Sequence, residues 1–200
     1  MKHSPRTSPL AVTLAVVLAG FSAPSLAAAD AVATFSGGCF WSLEAAFDKL
    51  PGVRETTTGY TGGHDDAPTY ERVTAGNTGH REAVQVRYDP DQLDYETLLI
   101  AYWHSINPVD HQGQFCDVGP SYTTAIYAHT PRQRRLAEES RTVLAQLKFR
   151  RELATEILDA TRFYPAEAVH QDFARQRPAA YARYRRQCGT DAMLQQIWRR

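Results

Sequence analysis

A mixed sheet covered by helices is the fold class this 200-residue sequence predicts. Three observations predict it. Short runs rich in β-branched and aromatic residues alternate along the chain with longer segments of helical period. "EAVQVRYD" (82–89) alternates strictly, with Val84, Val86 and Tyr88 on one side and Ala83, Gln85 and Arg87 on the other, as a strand with one face on a core does. No internal repeat and no low-complexity linker interrupts the pattern, so one domain of either the α/β or the α+β kind is expected.

The elements follow in order. "AVATF" (31–35) reads as a buried strand. "WSLEAAFDKL" (41–50) puts Leu43, Ala46, Phe47 and Leu50 on one helical face, and Pro51-Gly52 ends it. "VRETTTGY" (53–60) is a strand, and "TGGHDDAP" (61–68) is a loop rich in turn formers. "DYETLLIAYWHSI" (94–106) is a helix with Leu98, Leu99, Tyr102 and Trp103 on its apolar side. "NPVDHQGQFCDVGPS" (107–121) is a long irregular stretch, and loops of that length in compact domains tend to carry function. "YTTAIYA" (122–128) is a strand. "PRQRRLAEESRTVLAQLK" (131–148) is a helix opened by proline, and "ATEILDA" (154–160) is a strand. The remainder reads as helical turns broken at Pro178 and Gly189.

Twenty-two basic and twenty-two acidic residues balance, with no long basic run, so nucleic acid is not expected as a partner. Residues 1–29 carry Lys2 and Arg6, then a short apolar run, then a small-residue stretch. This is the layout of a secretory signal, cleaved near Ala27 to Ala29, with a bacterial periplasmic destination. The apolar run is too short for a comfortable membrane span, so no lasting membrane association is expected of residues 30–200. Three cysteines, Cys39, Cys116 and Cys188, leave an odd thiol in an oxidising compartment.

"SGGCFW" (36–41) stands where the first strand turns into the first helix. Helix N-termini present unpaired N–H groups and partial positive charge, so a cysteine there is expected to have a lowered pKa. Gly37 and Gly38 permit a sharp turn and leave the sulfur accessible. Phe40 and Trp41 are able to wall a small apolar pocket. The motif alone fits a nucleophile and a buried cysteine among core aromatics equally well.

"GGCFW", "GYTGG", "PTYERV", "TGHREAVQVRYDP" and "QGQFCDVGPSY", in this order, resemble the peptide methionine sulfoxide reductase A family over Ala31 to Cys188. The resemblance implies an α+β two-layer sandwich of ferredoxin-like kind, with a C-terminal tail from about residue 182. It implies reduction of the S epimer of methionine sulfoxide, free or in oxidised proteins. Cys39 then matches the nucleophile, Phe40 and Trp41 the residues around the substrate methyl, and Glu82 the acid that protonates the sulfoxide oxygen. Tyr70 and Tyr122 match the tyrosines that bond that oxygen, and Asp117 an aspartate of the same site. Cys188 becomes the favoured resolving cysteine that captures the sulfenic acid formed on Cys39; Cys116, next to Asp117, either resolves Cys39 directly or is a buried small hydrophobe, and the buried reading is preferred. No cofactor is implied; electrons come from a thioredoxin-like dithiol, and the chain is expected to be a monomer. A different thiol enzyme would need a Cys–His pair, but His80, His104, His111 and His170 are not tied to Cys39 by spacing and read as loop or surface residues. No zinc-type Cys/His spacing is present. A binding domain that keeps the fold without the chemistry is the third class.

Overall fold

The computed structural model describes Met1 and residues 29–199. Apart from its two end residues, the leader lies outside the described residues. The chain order is β1 (Ala31–Ser36), α1 (Phe40–Phe47), β2 (Val53–Thr61), α2 (Tyr70–Thr74), β3 (Arg81–Tyr88), α3 (Tyr95–His104), β4 (Gly113–Gln114), β5 (Asp117–Val118), a 3-10 turn (Pro120–Tyr122) and β6 (Ala125–Ala128). There follow α4 (Pro131–Val143) running into a π-helical turn (Leu144–Phe149), β7 (Glu156–Asp159), β8 (Tyr164–Pro165), α5 (Phe173–Gln176), α6 (Pro178–Gln187) and α7 (Thr190–Trp198).

Six strands form one sheet in the order β7-β6-β1-β3-β2-β8. Its central four, β6-β1-β3-β2, pair antiparallel and are fed by α1 and α3, which is the ferredoxin-like arrangement. β7 extends one edge parallel to β6 and β8 extends the other antiparallel to β2, so the sheet is mixed. This α+β fold agrees with the expectation. Among the described residues no helix is long and apolar enough to cross a membrane.

The core sits between the sheet and α1 and α3. Phe35 of β1 packs on Phe47 of α1 at 5.1 Å and on Tyr102 of α3 at 5.0 Å between ring centroids. Leu98, Leu99, Tyr102 and Trp103 are all buried, as the helical period predicts. On α1 the buried set is wider than one stripe: Glu44 and Ala45 are buried with Leu43 and Phe47, while Ala46 and Leu50 are half-buried. The reason is a second cover. Glu44 accepts hydrogen bonds from the backbone N–H groups of Asp172 (2.9 Å) and Phe173 (3.3 Å), so the C-terminal segment closes over the flank of α1. A carboxylate buried in this way satisfies donors at a short helix start that would otherwise be orphaned.

The stretch 107–121 is more ordered than its composition suggests. β4 and β5 form a tight hairpin in which Gly113 faces Val118 and Gln114 faces Asp117. Phe115 and Cys116 make the two-residue turn, with Phe115 at φ +60°. The strand read over 122–128 shortens at its start, because Pro120–Tyr122 coil into the 3-10 turn. The segment after residue 182 is not a loose tail: α6 and α7 are consecutive helices, and Trp198 of α7 donates to the carbonyl of Ile106.

Candidate active site

Cys39 is the residue that caps α1, and no side chain of its own closes the helix start. The carboxyl group of Glu82 does so instead, its Oε2 accepting from the Phe40 N–H at 2.9 Å. Antiparallel pairing explains how it gets there. Ser36 at the end of β1 faces Ala83 on β3, so Glu82 lies one position past the strand end, against the first turn of α1. The two-residue period puts it on the same face as Val84, Val86 and Tyr88. It is therefore buried, 2% exposed, rather than a solvated strand-end group. Arg81 points to the other face, donating to Thr123 Oγ1 at 2.7 Å and pairing with Glu156. Its charge does not oppose the protonation of Glu82.

The two glycines before Cys39 are required by close approach. A Cβ on Gly37 would sit 2.6 Å from Ile106 Cγ2. Gly38 has φ +77°, and a Cβ there would meet Gln114 Cβ at 2.6 Å. The Gly38 N–H is held by the Tyr122 carbonyl at 3.1 Å, which brings the 3-10 turn to the helix start. The hairpin is thus pressed against the cysteine, and Asp117 of β5 arrives beside it.

Electrostatics tie the group together. Burial raises the Glu82 pKa from 4.5 to about 8; the Phe40 N–H works against this and the nearby Asp117 carboxylate adds to it. Burial also raises Asp117, opposed by Tyr184 and by the backbone N–H of Cys39. Tyr184 of α6 donates to Asp117 Oδ2 at 2.5 Å. The lowered Cys39 pKa expected from the helix start is not found. Burial, then the charges of Glu82 and Asp117, push the thiol well above its ordinary value, and the Trp41 N–H and Tyr184 only moderate this. Burial outweighs an eight-residue helix whose positive end already faces two carboxyl groups. Cys39 therefore rests as a thiol. Tyr70 is raised to about 12, first by burial and then by Glu82, Cys39 and Asp117. Tyr122 is raised by burial and by Glu82, Tyr70, Asp117 and Cys39. Glu82, Tyr70, Tyr122, Asp117 and Cys39 thus occupy one electrostatic neighbourhood.

An aromatic wall completes the site. Phe40 packs on Trp41 (6.3 Å), Tyr60 (6.1 Å) and Tyr70 (6.4 Å). His170 stacks on Tyr70 at 4.2 Å, and Phe173 stacks on Trp41 at 3.8 Å. Glu167 fixes this wall from behind, accepting from Tyr60 Oη (2.6 Å) and the Tyr70 N–H (2.9 Å). His170 is buried and its pKa is lowered by that burial, so it stands neutral. It is not a surface histidine, and neither is His80, 2% exposed. A separate groove of about 560 Å³, lined by residues including Asp48, Arg54, Gln171 and Arg175, has no cysteine in its lining.

The cysteines pair differently from the expectation. Cys116 is bonded to Cys188 across 72 residues, and Cys39 is the free thiol. Cys116 is exposed, not a buried hydrophobe, because the turn between β4 and β5 carries it outward. Cys188, on the other hand, is 8% exposed at the junction of α6 and α7. Asp117 links this bond to the nucleophile position: it follows Cys116 in the chain and faces the Cys39 N–H. Tyr184, Glu167, His170 and Phe173 were not singled out as site residues from the sequence. Only Tyr184 had a usable signal, standing one helical turn before a cysteine.

A lone reduced thiol at a helix start, a buried carboxyl group protonated in the neutral range, tyrosines and aromatic rings gathered around them and a disulfide beside them define a thiol-dependent oxidoreductase. Comparison with known proteins narrows the class. Residues 31–200 match the family model described as peptide methionine sulfoxide reductase. A Bacillus licheniformis peptide methionine sulfoxide reductase MsrA is 51% identical over 170 residues, covering 84% of this chain and 94% of that protein. The Caulobacter vibrioides MsrA 2 is 48% identical over 185 residues, covering 92% and 94%. Among solved structures, methionine sulfoxide reductase A of Corynebacterium diphtheriae superposes with TM-score 0.67 at 31% identity, over 74% of this chain and 76% of that one. Reduced Mxr1 of Saccharomyces cerevisiae gives 0.69 at 27% identity, over 75% and 87%. The chain belongs to the MsrA family of peptide methionine sulfoxide reductases, and it is an enzyme of that family.

Proposed function

We propose that this enzyme reduces the S epimer of methionine sulfoxide, free or protein-bound, by oxygen transfer to Cys39, and that a thioredoxin-like dithiol returns it to the reduced state. The observation that carries this reading is the pairing of a free Cys39 with a buried Glu82 that keeps its proton up to about pH 8. Oxide is a very poor leaving group unless protonated, so sulfoxide chemistry needs an acid at oxygen and a nucleophile at sulfur. Phe40 and Trp41 hold the methyl group, and Tyr70 and Tyr122 bond the oxygen as negative charge grows on it. Cys39 sulfur attacks the sulfoxide sulfur while Glu82 gives its proton to the oxygen. The oxygen then passes to Cys39, methionine leaves, and Glu82 regains a proton from the one the thiol gave up. Net, thiol plus sulfoxide gives sulfenic acid plus thioether, with no proton taken from solvent. Asp117 and Tyr184 hold the helix start in place beside the thiol.

Cys188 then attacks the sulfenic sulfur, releasing water and forming a Cys39–Cys188 bond. Cys116 displaces Cys39 from Cys188, leaving Cys39 free and Cys116 joined to Cys188. The observed Cys116–Cys188 bond beside a free Cys39 supports this order. The cycle uses no cofactor. The leader, with Lys2 and Arg6 before its apolar run, supports export to the periplasm, where oxidised proteins are the substrates.

Two measurements test the reading. Turnover of both epimers of a methionine sulfoxide ester with dithiothreitol is expected for the S epimer alone; reduction of neither, or of the R epimer, sinks it. Cys188→Ser is expected to keep dithiothreitol-supported turnover and lose thioredoxin-supported turnover, while Cys116→Ser accumulates a Cys39–Cys188 bond visible by peptide mass spectrometry. Thioredoxin-supported cycling that survives in Cys188→Ser overturns the resolving assignment.

A further inference from the structure

The two sulfurs of the Cys116–Cys188 bond are not equivalent. Cys188 is 8% exposed, enclosed where α6 meets α7, with Thr190 beyond it 1% exposed. Cys116 is exposed on the two-residue turn of the β4–β5 hairpin. Cys39, the only other sulfur of the cycle, is likewise only 8% exposed. Thiol–disulfide exchange requires the attacking thiolate to approach one sulfur along the S–S axis, from the side opposite the leaving sulfur. A macromolecular thiol is able to make that approach only at Cys116.

The surroundings fit a protein reductant better than a small thiol. Val118, two residues on, is 71% exposed on the same hairpin, and Pro120 is exposed beyond it. Gly119 between them has nothing within 4 Å of where its Cβ would be, so the strand past Val118 is open on that side. An exposed aliphatic side chain beside a reducible bond offers an apolar contact for a protein partner, since exposed apolar patches mark interaction sites and interface cores are apolar. The leaving side is also prepared. Cys188 directly precedes the N-terminus of α7, a nine-residue helix capped by Gly189, and follows Arg185 and Arg186. Asp191 in the first turn of α7 is paired by Arg185, so its charge is offset. Helix N-termini and basic neighbours favour a departing thiolate.

We infer that Cys116 is the entry sulfur for the reductant, and that the hairpin turn Phe115–Pro120 is the docking surface for a thioredoxin-fold dithiol protein. The inference rests on the relay proposed above. The reductant's thiolate attacks Cys116 Sγ, the Cys116–Cys188 bond breaks, and Cys188 leaves as a thiolate that takes up a proton. The reductant's second thiol then attacks its own mixed-disulfide sulfur, releasing Cys116 as a thiol and closing the reductant's disulfide. One disulfide and one dithiol have exchanged states.

The test uses the full chain, oxidised by one equivalent of methionine sulfoxide, and a bacterial thioredoxin whose second cysteine is changed to serine so that the mixed disulfide persists. Peptide mapping is expected to find the adduct on Cys116. An adduct on Cys188 overturns the entry assignment. An adduct on Cys39 overturns the relay as well. No adduct, with dithiothreitol turnover intact, overturns docking of this partner while leaving sulfoxide reduction standing; loss of dithiothreitol turnover in the wild type is the separate result that removes the reductase reading. Val118→Asp, a surface change outside the site, is expected to raise the KM for wild-type thioredoxin roughly tenfold and leave dithiothreitol-supported kcat unchanged. An unchanged KM removes the docking surface.

Discussion

Cys39→Ser is expected to lower S-sulfoxide turnover with dithiothreitol on the order of 10⁴-fold or more, to the background of the assay. The argument is chemical before it is structural. The step moves an oxygen atom onto the nucleophile, and sulfur holds it as a sulfenic acid. A serine oxygen would have to form an O–O bond, which is weak, and its hydroxyl is far harder to deprotonate than a thiol. The structure adds that neither other sulfur stands beside Glu82 at the start of α1: Cys116 is carried outward on the hairpin turn and Cys188 lies where α6 meets α7. The fold should survive, since serine is nearly the size of cysteine and Cys39 donates no cap bond to α1. The controls are an unshifted melting temperature and retained quenching of Trp41 fluorescence by the substrate. Turnover above about one hundredth of wild type would move the nucleophile elsewhere.

The order of strands and helices was legible because it rests on periods of two and 3.6 that a core imposes on any chain. Leu98, Leu99, Tyr102 and Trp103 are the clearest instance. Glu44 shows where that logic stops. It stands on α1 beside Leu43, yet it is buried because Asp172 and Phe173 arrive from 128 and 129 residues away. No local pattern carries that information. The positions gathered around Cys39 were named through an ordered set of motifs, whereas Tyr184, Glu167 and His170 lie outside those motifs and reach the site only through the fold. The Cys39 pKa failed for the same reason. Helix starts lower a thiol pKa where solvent reaches the sulfur, but here Asp117 comes from the hairpin and Glu82 from β3, and burial by both layers wins. The fate of Cys116 depended on the two-residue turn at Phe115, where a positive φ at a non-glycine residue gave no sequence signal.

Glu82→Gln is expected to slow the oxygen-transfer step about 10²- to 10³-fold and to change two pH profiles in a linked way. The wild-type acid form is the active one, and its pKa is about 8. Single-turnover oxygen transfer should therefore be flat through neutral pH and fall as pH rises through about 8. Glutamine cannot titrate, so that falling limb should vanish with the rate. Stability runs alongside. The folded pKa lies above the ordinary value of 4.5, so the folded state holds this proton more tightly than the unfolded chain. The resulting stabilisation is complete below about pH 4.5 and is lost as pH rises through about 8. Glu44, raised to about 7 by burial, contributes in the same direction and is lost about a unit earlier. The wild-type melting temperature should thus decline from pH 5 to pH 8.5. In Glu82→Gln the decline should be smaller, because Glu82 no longer adds to the contributions of Glu44 and Asp117 and the amide oxygen can still accept from the Phe40 N–H. The variant should gain on the wild type in stability as pH rises through about 8, the same range over which the wild-type rate falls towards that of the variant. A carboxyl group that costs stability when charged and is nonetheless buried against the nucleophile's helix is one held there for its proton. Single-turnover rates and thermal melts at pH 5, 7 and 8.5 decide it. A variant that keeps the wild-type rate, or keeps the falling limb, would assign the proton to another group, with Asp117 the first to examine.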